Sequence, residues 1–326
     1  MSTFKGHGLD KTDCKILLEL DRNCRQSNAQ IGKKLRLSKN VVNYRITKLL
    51  GQEFITRFYA VVDGPKIGFQ TFRAYLKFSP LEKEKQLELI AFISAQKQTW
   101  FAGPIDGDLD FGFLFLAKNI YEFRDFWFEF LSRFQGHIQQ AVVSIYTKLF
   151  TYQHAYLSPQ LHGDIPMQVI GGQFDNVQIS PTDKRVLSYL STNARDSVVE
   201  IAQKLGLTPS IVRYSMDKLE ETGVVLAYRT RINFNKLGYA MYKLNIRLKD
   251  RSRYNALLQY AHASPNIIYT DEAIGYADFE VEMLVQKYDE FKAIRQDLLD
   301  LAGKTLHSHN HFIYVGEILL NYYPLE

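Results

Sequence analysis

The chain has 326 residues, 46% hydrophobic and 23% charged, a balance that excludes a disordered polar tract and allows more than one buried core. No run reaches the ~18–20 apolar residues of a membrane span, and Met1 to Asp10 lacks the apolar stretch of a secretory signal, so no membrane partner is expected. Only two cysteines, Cys14 and Cys24, are present, which fits a reduced cytoplasmic protein without a disulfide framework.

The net charge is +5 but unevenly spread. Leu9 to Phe69 holds seven Lys and five Arg against six acids, a net of +6; Ile179 to Tyr239 is +3, and the remainder is −4. Positive charge focused in two segments suits a phosphate-binding footprint, although solvated surface also carries charge.

Those two segments are copies of one another. At an offset of 170, Asp13 falls on Asp183, Ile31 on Ile201, Val42 on Val212, Tyr44 on Tyr214 and Gly68 on Gly238. At 168 the match continues, with Gly107 on Gly275, Asp110 on Asp278, Phe123 on Phe291 and Ile145 on Ile313. Apolar positions and turn residues that repeat together specify the same fold twice.

In chain order, each copy opens with three short helices. Leu9 to Leu20 is the first, and Asn28 to Leu35 follows with Ser27 and Gln30 spaced as a capping box. Ser38 caps a third that runs to Leu50. In the second copy Ser180, Pro181 and Asp183 start the first helix, and Thr208 with Pro209 starts the third. Last helices joined by a turn of a few residues form a helix-turn-helix pattern.

The period then changes. Phe54 to Val62, Thr71 to Phe78, Trp100 to Ile105, Asp110 to Ala117 and Ala141 to Phe150 read as strands. Between them lie a helix Lys83 to Ala95, with Leu87, Ile90, Ala91 and Ser94 on one stripe, and an aromatic helix Ile120 to Phe134. The second copy repeats this with Val224 to Phe234, Met241 to Leu248, Arg253 to Ala263, Ile267 to Ala273, Asp278 to Gln286, Tyr288 to Ala302 and Leu306 to Leu319.

The expected fold class is therefore α+β: two tandem units, each a (winged) helix-turn-helix followed by a ferredoxin-like βαββαβ domain. The helix-turn-helix units are expected over 9–62 and 178–234, and the sensing or dimerisation domains over 69–152 and 239–322. The intervening 153–177 reads as a linker, since Pro159, Gly163, Pro166, Gly171 and Gly172 break any period.

The segments IGKKLRLSKNVVNYRITKLLGQEFITRFYAVVDGPKIG and IAQKLGLTPSIVRYSMDKLEETGVVLAYRTRINFNKLG, with the later turns GDLD (Gly107 to Asp110) and GYAD (Gly275 to Asp278), resemble the Lrp/AsnC family of transcription regulators. The resemblance implies a partner, double-stranded DNA, and a C-terminal domain that dimerises and senses amino acids or similar molecules, with no cofactor. Most members carry one unit per chain. A tandem chain is thus expected either to form a homo-oligomer or to supply both halves of an intramolecular pseudo-dimer.

A recognition helix buries one stripe and offers the opposite one to the major groove. Val42, Ile46 and Leu49 share the buried stripe, which leaves Asn40, Asn43, Tyr44, Thr47 and Lys48 pointing away and Arg45 at the flank. Asn suits adenine edges, and Lys or Arg suits guanine or phosphate. Lys33, Lys34, Arg36, Ser38 and Lys39 suit phosphate contacts. The second copy offers Ser210, Arg213, Tyr214 and Lys218, weakened by Asp217, Glu220 and Glu221, so copy one is expected to be the stronger reader. The bland alternative is a polar helix face in an interaction domain.

For the effector, the candidates are Asp106, Gly107, Asp108 and Asp110 with Gly275, Tyr276 and Asp278, which by resemblance lie near the ligand pocket and subunit contacts. Ordinary turn chemistry explains them as well. The helix Ile120 to Phe134 carries Phe123, Phe126, Trp127, Phe130 and Phe134 on a broad stripe with Phe128 out of phase, which suggests a second buried surface and an oligomer interface. His307, His309 and His311 alternate and would share one strand face; no metal site is assigned to them.

Two rivals remain. Some proteins of this two-part architecture resemble siroheme decarboxylases, and His137, His307, His309 and His311 keep a tetrapyrrole enzyme open, although no paired acid and base is evident. An architectural chromatin protein with little sequence preference is the other.

Overall fold

A computed structural model describes residues 9–80, 82–158, 167–316 and 319–323. The opening residues 1–8, read above for a signal, lie outside them, as do Pro159, Gly163 and Pro166 and positions 317–318.

The first copy begins with α1 (Lys11–Arg22), α2 (Asn28–Leu35) and α3 (Lys39–Gly51). Each start is fixed by a side chain. Asp10 and Asp13 form a capping box on α1, Ser27 and Gln30 one on α2, and Ser38 accepts from the Val41 amide. The remainder is the wing strand β1 (Ile55–Val62) and then βαββαβ: β2 (Gln70–Phe78), α4 (Lys83–Ser94), β3 (Thr99–Asp106), β4 (Phe111–Ala117), α5 (Ile120–Phe134) and β5 (Ile138–Thr151), followed by β6 (Gln168–Gly171). The second copy repeats the plan as α6 (Pro181–Asn193), α7 (Val198–Leu205), α8 (Pro209–Glu221), β7 (Val225–Ile232), β8 (Ala240–Leu248), α9 (Tyr254–Ala263), β9 (Ile267–Ile274), β10 (Phe279–Val285), α10 (Tyr288–Ala302), β11 (Leu306–Tyr314) and β12 (Leu319–Leu320).

The two copies clasp each other about an approximate two-fold axis. Strand β1 pairs antiparallel with β7, and Tyr59 sits opposite its own repeat mate Arg229, so the axis passes through that pair. The four-stranded sheet of each copy then joins the other twice. Ile145 pairs with Ile274 across β5 and β9, and Ile313 with Asp106 across β11 and β3. The result is a ring of eight strands in the order β11-β8-β10-β9-β5-β2-β4-β3, closed by the β11–β3 pairing. The chain thus builds within itself the intramolecular pseudo-dimer.

Alternation along the strands sorts residues to two sides. Phe72, Ala74 and Leu76 of β2 pack outward under α4 and α5, as Leu244 and Ile246 of β8 pack under α9 and α10. The intervening Arg73, Tyr75, Lys243 and Asn245 are buried on the other side, inside the ring.

Several expectations are corrected. The buried residues of α4 are Leu89 and Ile93, with Leu87 and Ala91 exposed; of the expected stripe Ile90 packs partly against the core, and Phe92 packs on the rings of Phe126, Phe130 and Phe134 in α5. On α5, by contrast, Phe123, Phe126, Phe130 and Phe134 are core as expected, and Phe128, like Ile120 and Tyr121, is exposed. The 153–177 stretch is no simple linker. Ala155, Tyr156 and Leu157 are buried, two of them in the core of the first helix-turn-helix, and β6 adds to β5. Its His154 amide donates to Asp21 at 2.9 Å, and Asp21 takes both Nε and Nη2 of buried Arg229. Strand β5 starts earlier than Ala141, and the expected Leu306 to Leu319 strand ends at Tyr314 before β12.

Candidate functional site

Helix α3 presents two unlike faces. Val42, Ile46 and Leu49 are buried, while Lys39, Asn40, Asn43, Tyr44 and Thr47 are exposed and Lys48 is half-buried. Tyr44 is 69% exposed and its repeat mate Tyr214 70%, so both copies hold a large ring out in solvent at the same helical position. Lys33, Arg36 and Ser38 are also exposed; Lys33, Arg36 and Lys39 put three basic side chains about the entry to α3, which Ser38 caps. Arg36 caps α2 in the left-handed region (φ 58°), where the second copy has Gly206 (φ 64°).

Two expected DNA contacts of the first copy are held elsewhere. Arg45 donates to Asp10 and Asp13, each at 2.7 Å, and so ties α3 to the start of α1. Lys34 donates to Glu19 at 2.9 Å and to Gln26 at 2.6 Å. In the second copy the Arg45 position is Ser215, and the tie is rebuilt: Ser215 and Lys218 both donate to Asp183, at 2.6 and 2.7 Å. Lys218 is therefore a bundle contact first. Ser210, Arg213 and Tyr214 remain exposed.

The glycine turns lie at the seam between copies. A side chain on Gly107 would meet Phe312 Cβ at 2.9 Å, and one on Gly275 would meet the Val143 carbonyl at 3.0 Å. Both glycines also have positive φ, 157° and 115°, so close approach and conformation together require the residue. Asp110 accepts from the Phe78 amide at 2.7 Å and from Lys77 at 2.8 Å, and Asp278 accepts from the Leu248 amide at 2.8 Å. Those carboxylates pin strand ends, as ordinary turn chemistry would have them do. Asp106 and Asp108 are exposed, whereas Tyr276 points inward, its hydroxyl accepting from Asn310 at 2.9 Å. His307 and His309 are exposed on β11 and His311 is half-buried. Among the described residues no group of three or more His, Cys, Asp or Glu side chains is placed to hold a metal.

The interior of the ring holds charge. Arg73 donates to both oxygens of Glu280, and Lys243 reaches Asp271, Glu280 at 3.0 Å and Glu282 at 2.9 Å. All five are buried. Burial, with Glu282 and Glu280 adding to it, outweighs the pull of Lys243 and Arg73 and leaves the Asp271 carboxyl raised to about 6. Beside this cluster lies a cavity of about 260 Å³ whose wall includes Trp100, Arg231, Tyr269, Asp271, Glu282 and Tyr322. Sequence reasoning missed it. The signal present was charge at every second position of apolar strands, as in Phe279-Glu280-Val281-Glu282-Met283.

Comparison with known proteins bears on this arrangement. A model of the winged helix-turn-helix DNA-binding family matches residues 9–56 and again 179–225. The proline dehydrogenase transcriptional activator of Rhodobacter capsulatus is 32% identical over 126 residues, covering 37% of this chain and 80% of that protein. The regulator Ptr1 of Methanocaldococcus jannaschii is 31% identical over 125 residues, 35% of this chain and 82% of its own. The chain belongs to the Lrp/AsnC family. Its match to the regulator LrpA of Pyrococcus horikoshii is 44% identical over 63 residues but spans only 45% of that protein.

Among solved structures, the siroheme decarboxylase NirDL superposes with a TM-score of 0.64 over 95% of this chain and 93% of its own, at 12% identity. That likeness is one of fold: a tandem Lrp/AsnC chain and NirDL share the closed double-unit architecture. Both cysteines of this Lrp/AsnC chain are free and buried, and among its described residues no helix is long and apolar enough to cross a membrane.

Proposed function

We propose that the chain is a sequence-specific double-stranded DNA-binding transcription regulator, acting in the cytoplasm, whose two helix-turn-helix units read DNA as one intramolecular pair. The observation that carries this reading is the face of α3, where amides, a ring and basic side chains stand clear of a fully buried stripe. The regulator names of the relatives support it. A small amino-acid-like effector adjusts the DNA affinity, and the exposed Ile120, Tyr121 and Phe128 of α5 give a surface for a homo-oligomer. We read the chain as non-enzymatic.

The test is fluorescence anisotropy on DNA from upstream of the chain's own gene against scrambled DNA, over a salt series. Preference for the native fragment, with log affinity falling linearly in log salt, is expected. Equal affinity for both fragments would favour an architectural chromatin protein instead.

A second reading, a tetrapyrrole decarboxylase, is favoured by the whole-chain fold likeness. Against it, His307 and His309 lie on the outer surface, and the cavity beside the charge cluster, at about 260 Å³, is small for a tetrapyrrole. Absorbance titration with a porphyrin separates the two: a saturable Soret shift would bring the enzyme forward.

A further inference from the structure

The charge inside the ring does not follow the two-fold axis. Arg73 and Lys243 are repeat mates, but the three carboxylates they face, Asp271, Glu280 and Glu282, all belong to the second copy. The corresponding positions of the first copy are Gly103, Gly112 and Leu114. Within this cluster three carboxylates therefore meet two cations. A surplus anion away from water must find a proton or another cation.

The surplus lies at the cavity. Asp271 and Glu282 both form part of its wall. Asp271 Oδ2 is taken by Lys243 and, at 2.9 Å, by the Tyr146 hydroxyl. Asp271 Oδ1 is buried with no hydrogen-bond partner among the described residues, and the same holds for Trp100 Nε1 on the same wall. An acceptor without a donor, a donor without an acceptor, and rings between them are complementary to one kind of guest. An ammonium would bond to the carboxylate, balance its charge and face the rings of Tyr269 and Tyr322. An oxygen at its other end would meet the Trp100 N–H, with Arg231 also on the wall. At about 260 Å³ the space suits a molecule the size of an amino acid.

We propose that this inner cavity is a binding site for a small primary amine of amino-acid size, its ammonium held by Asp271 and Glu282 and its acceptor end by Trp100. The proposal rests on the reading that a small molecule modulates the chain, and moves its site from the glycine turns to the interior of the pseudo-dimer.

The chain has two tryptophans, so Trp127→Phe leaves Trp100, on the cavity wall, as the sole tryptophan, excited selectively at the red edge of the absorption band where tyrosine does not absorb. The full-length variant is titrated with the twenty standard L-amino acids and phenethylamine, each alongside its N-acetylated form, and DNA affinity is measured with the same probes. Saturable change in Trp100 emission is expected with at least one free amine, weakened tenfold or more by N-acetylation and by Asp271→Asn. Because Asp271→Asn disturbs a buried cluster, Leu320→Phe is the second variant: it fills the cavity from an apolar wall, leaves every charge in place and is expected to weaken binding equally. Binding that survives both substitutions but is lost on Asp106→Asn with Asp108→Asn would overturn the cavity site and leave the effector reading standing. A DNA affinity that responds to a probe while Trp100 stays silent would do the same. Silence in both measurements would overturn both.

Discussion

Arg25 and Arg195 are repeat mates that make the same contact in opposite directions. Arg25 Nη1 donates to the carbonyls of Ala194 and Asp196, at 2.5 and 3.0 Å; Arg195 donates to those of Cys24 and Gln26, and its Nη2 reaches Asn28 Oδ1 at 2.6 Å. Each arginine crosses from its own helix-turn-helix into the turn after the first helix of the other. The pair holds the two helix-turn-helix units in one relative orientation, the arrangement that recognition of two half-sites would need. It is not fully symmetric, because Asn28 in turn donates to Asn43 of α3 at 3.0 Å.

Arg195→Ala is accordingly expected to lower unfolding free energy by about 2 kcal/mol, since it strands carbonyls that accept from a charged donor. It also frees Asn43, so DNA affinity falls with it. Arg25→Ala lacks that relay and should cost stability with a smaller effect on DNA binding. Urea titrations and anisotropy on the same protein samples check both, and equal affinity losses would contradict the relay.

Arg36 and Glu53 are the two non-glycine residues with positive φ among those described, at 58° and 54°. The second copy has glycine at both places, Gly206 and Gly223. A side chain in the left-handed region costs about 1 kcal/mol relative to glycine there. Glu53→Gly and Arg36→Gly should each raise the unfolding free energy by about 1 kcal/mol, read from the denaturation midpoint. Only Arg36→Gly should also weaken DNA binding, because strain kept at an exposed basic position points to use. If Arg36→Gly binds DNA as the parent does, Arg36 is no DNA contact.

The repeat, the helix-turn-helix and the strand order were legible in the sequence because caps, turn glycines and apolar spacing are local signals. Asp10, Ser27 and Ser38 announce their helices directly. What faces what was not legible. Alternation in β2, β8 and β10 says that one side differs from the other, and a charged second side ordinarily means water. Here it means another sheet, because ring closure depends on pairings between strands far apart in the chain, such as β5 with β9. The same distance hid the partners of Arg45 and Lys34, whose exposed-looking positions on a helical wheel are occupied by Asp10, Asp13 and Glu19.

Asp183 gives a pH test. Burial raises its pKa, but bonds from Lys218, Ser215 and Ser180 outweigh it and hold the carboxyl at about 2, below the ordinary 3.8. A depressed folded-state pKa means a stabilisation present above pH 4 and lost as pH falls from about 4 to 2, on the order of 2 kcal/mol. Asp183→Asn should lower stability at neutral pH and flatten that acid limb. An unchanged slope between pH 4 and 2 would show that other carboxyls carry the acid sensitivity.

The Arg73–Glu280 pair crosses the ring interior with both side chains buried. Glu280→Gln takes from buried Arg73 the carboxylate that accepts from both its Nη atoms, while Lys243 keeps Asp271 and Glu282, and should cost about 3–5 kcal/mol. Replacing both partners by Met removes the charge requirement as well as the bond, and should recover most of that loss. Denaturation of Arg73→Met, Glu280→Met and the double variant measures the coupling; a double variant as unstable as the sum of the singles would mean that the pair acts independently.

The last expectation concerns which copy reads DNA. Asn43 is exposed on α3 and Arg213 at the matching place on α8, but Asp217, Glu220 and Glu221 crowd negative charge onto α8, and Lys218 is drawn to Asp183. Asn43→Ala should cost about 1–3 kcal/mol against the preferred site and little against scrambled DNA, since an amide distinguishes bases. Lys39→Ala should weaken binding to both and reduce the salt slope by about 1, as a lost phosphate contact does. Arg213→Ala should do less than either, and Lys218→Ala should register in stability rather than affinity. Anisotropy over a salt series reads all four. Should Arg213→Ala match Asn43→Ala on the native fragment, the two copies are equal readers and the acidic residues on α8 lie clear of the phosphates.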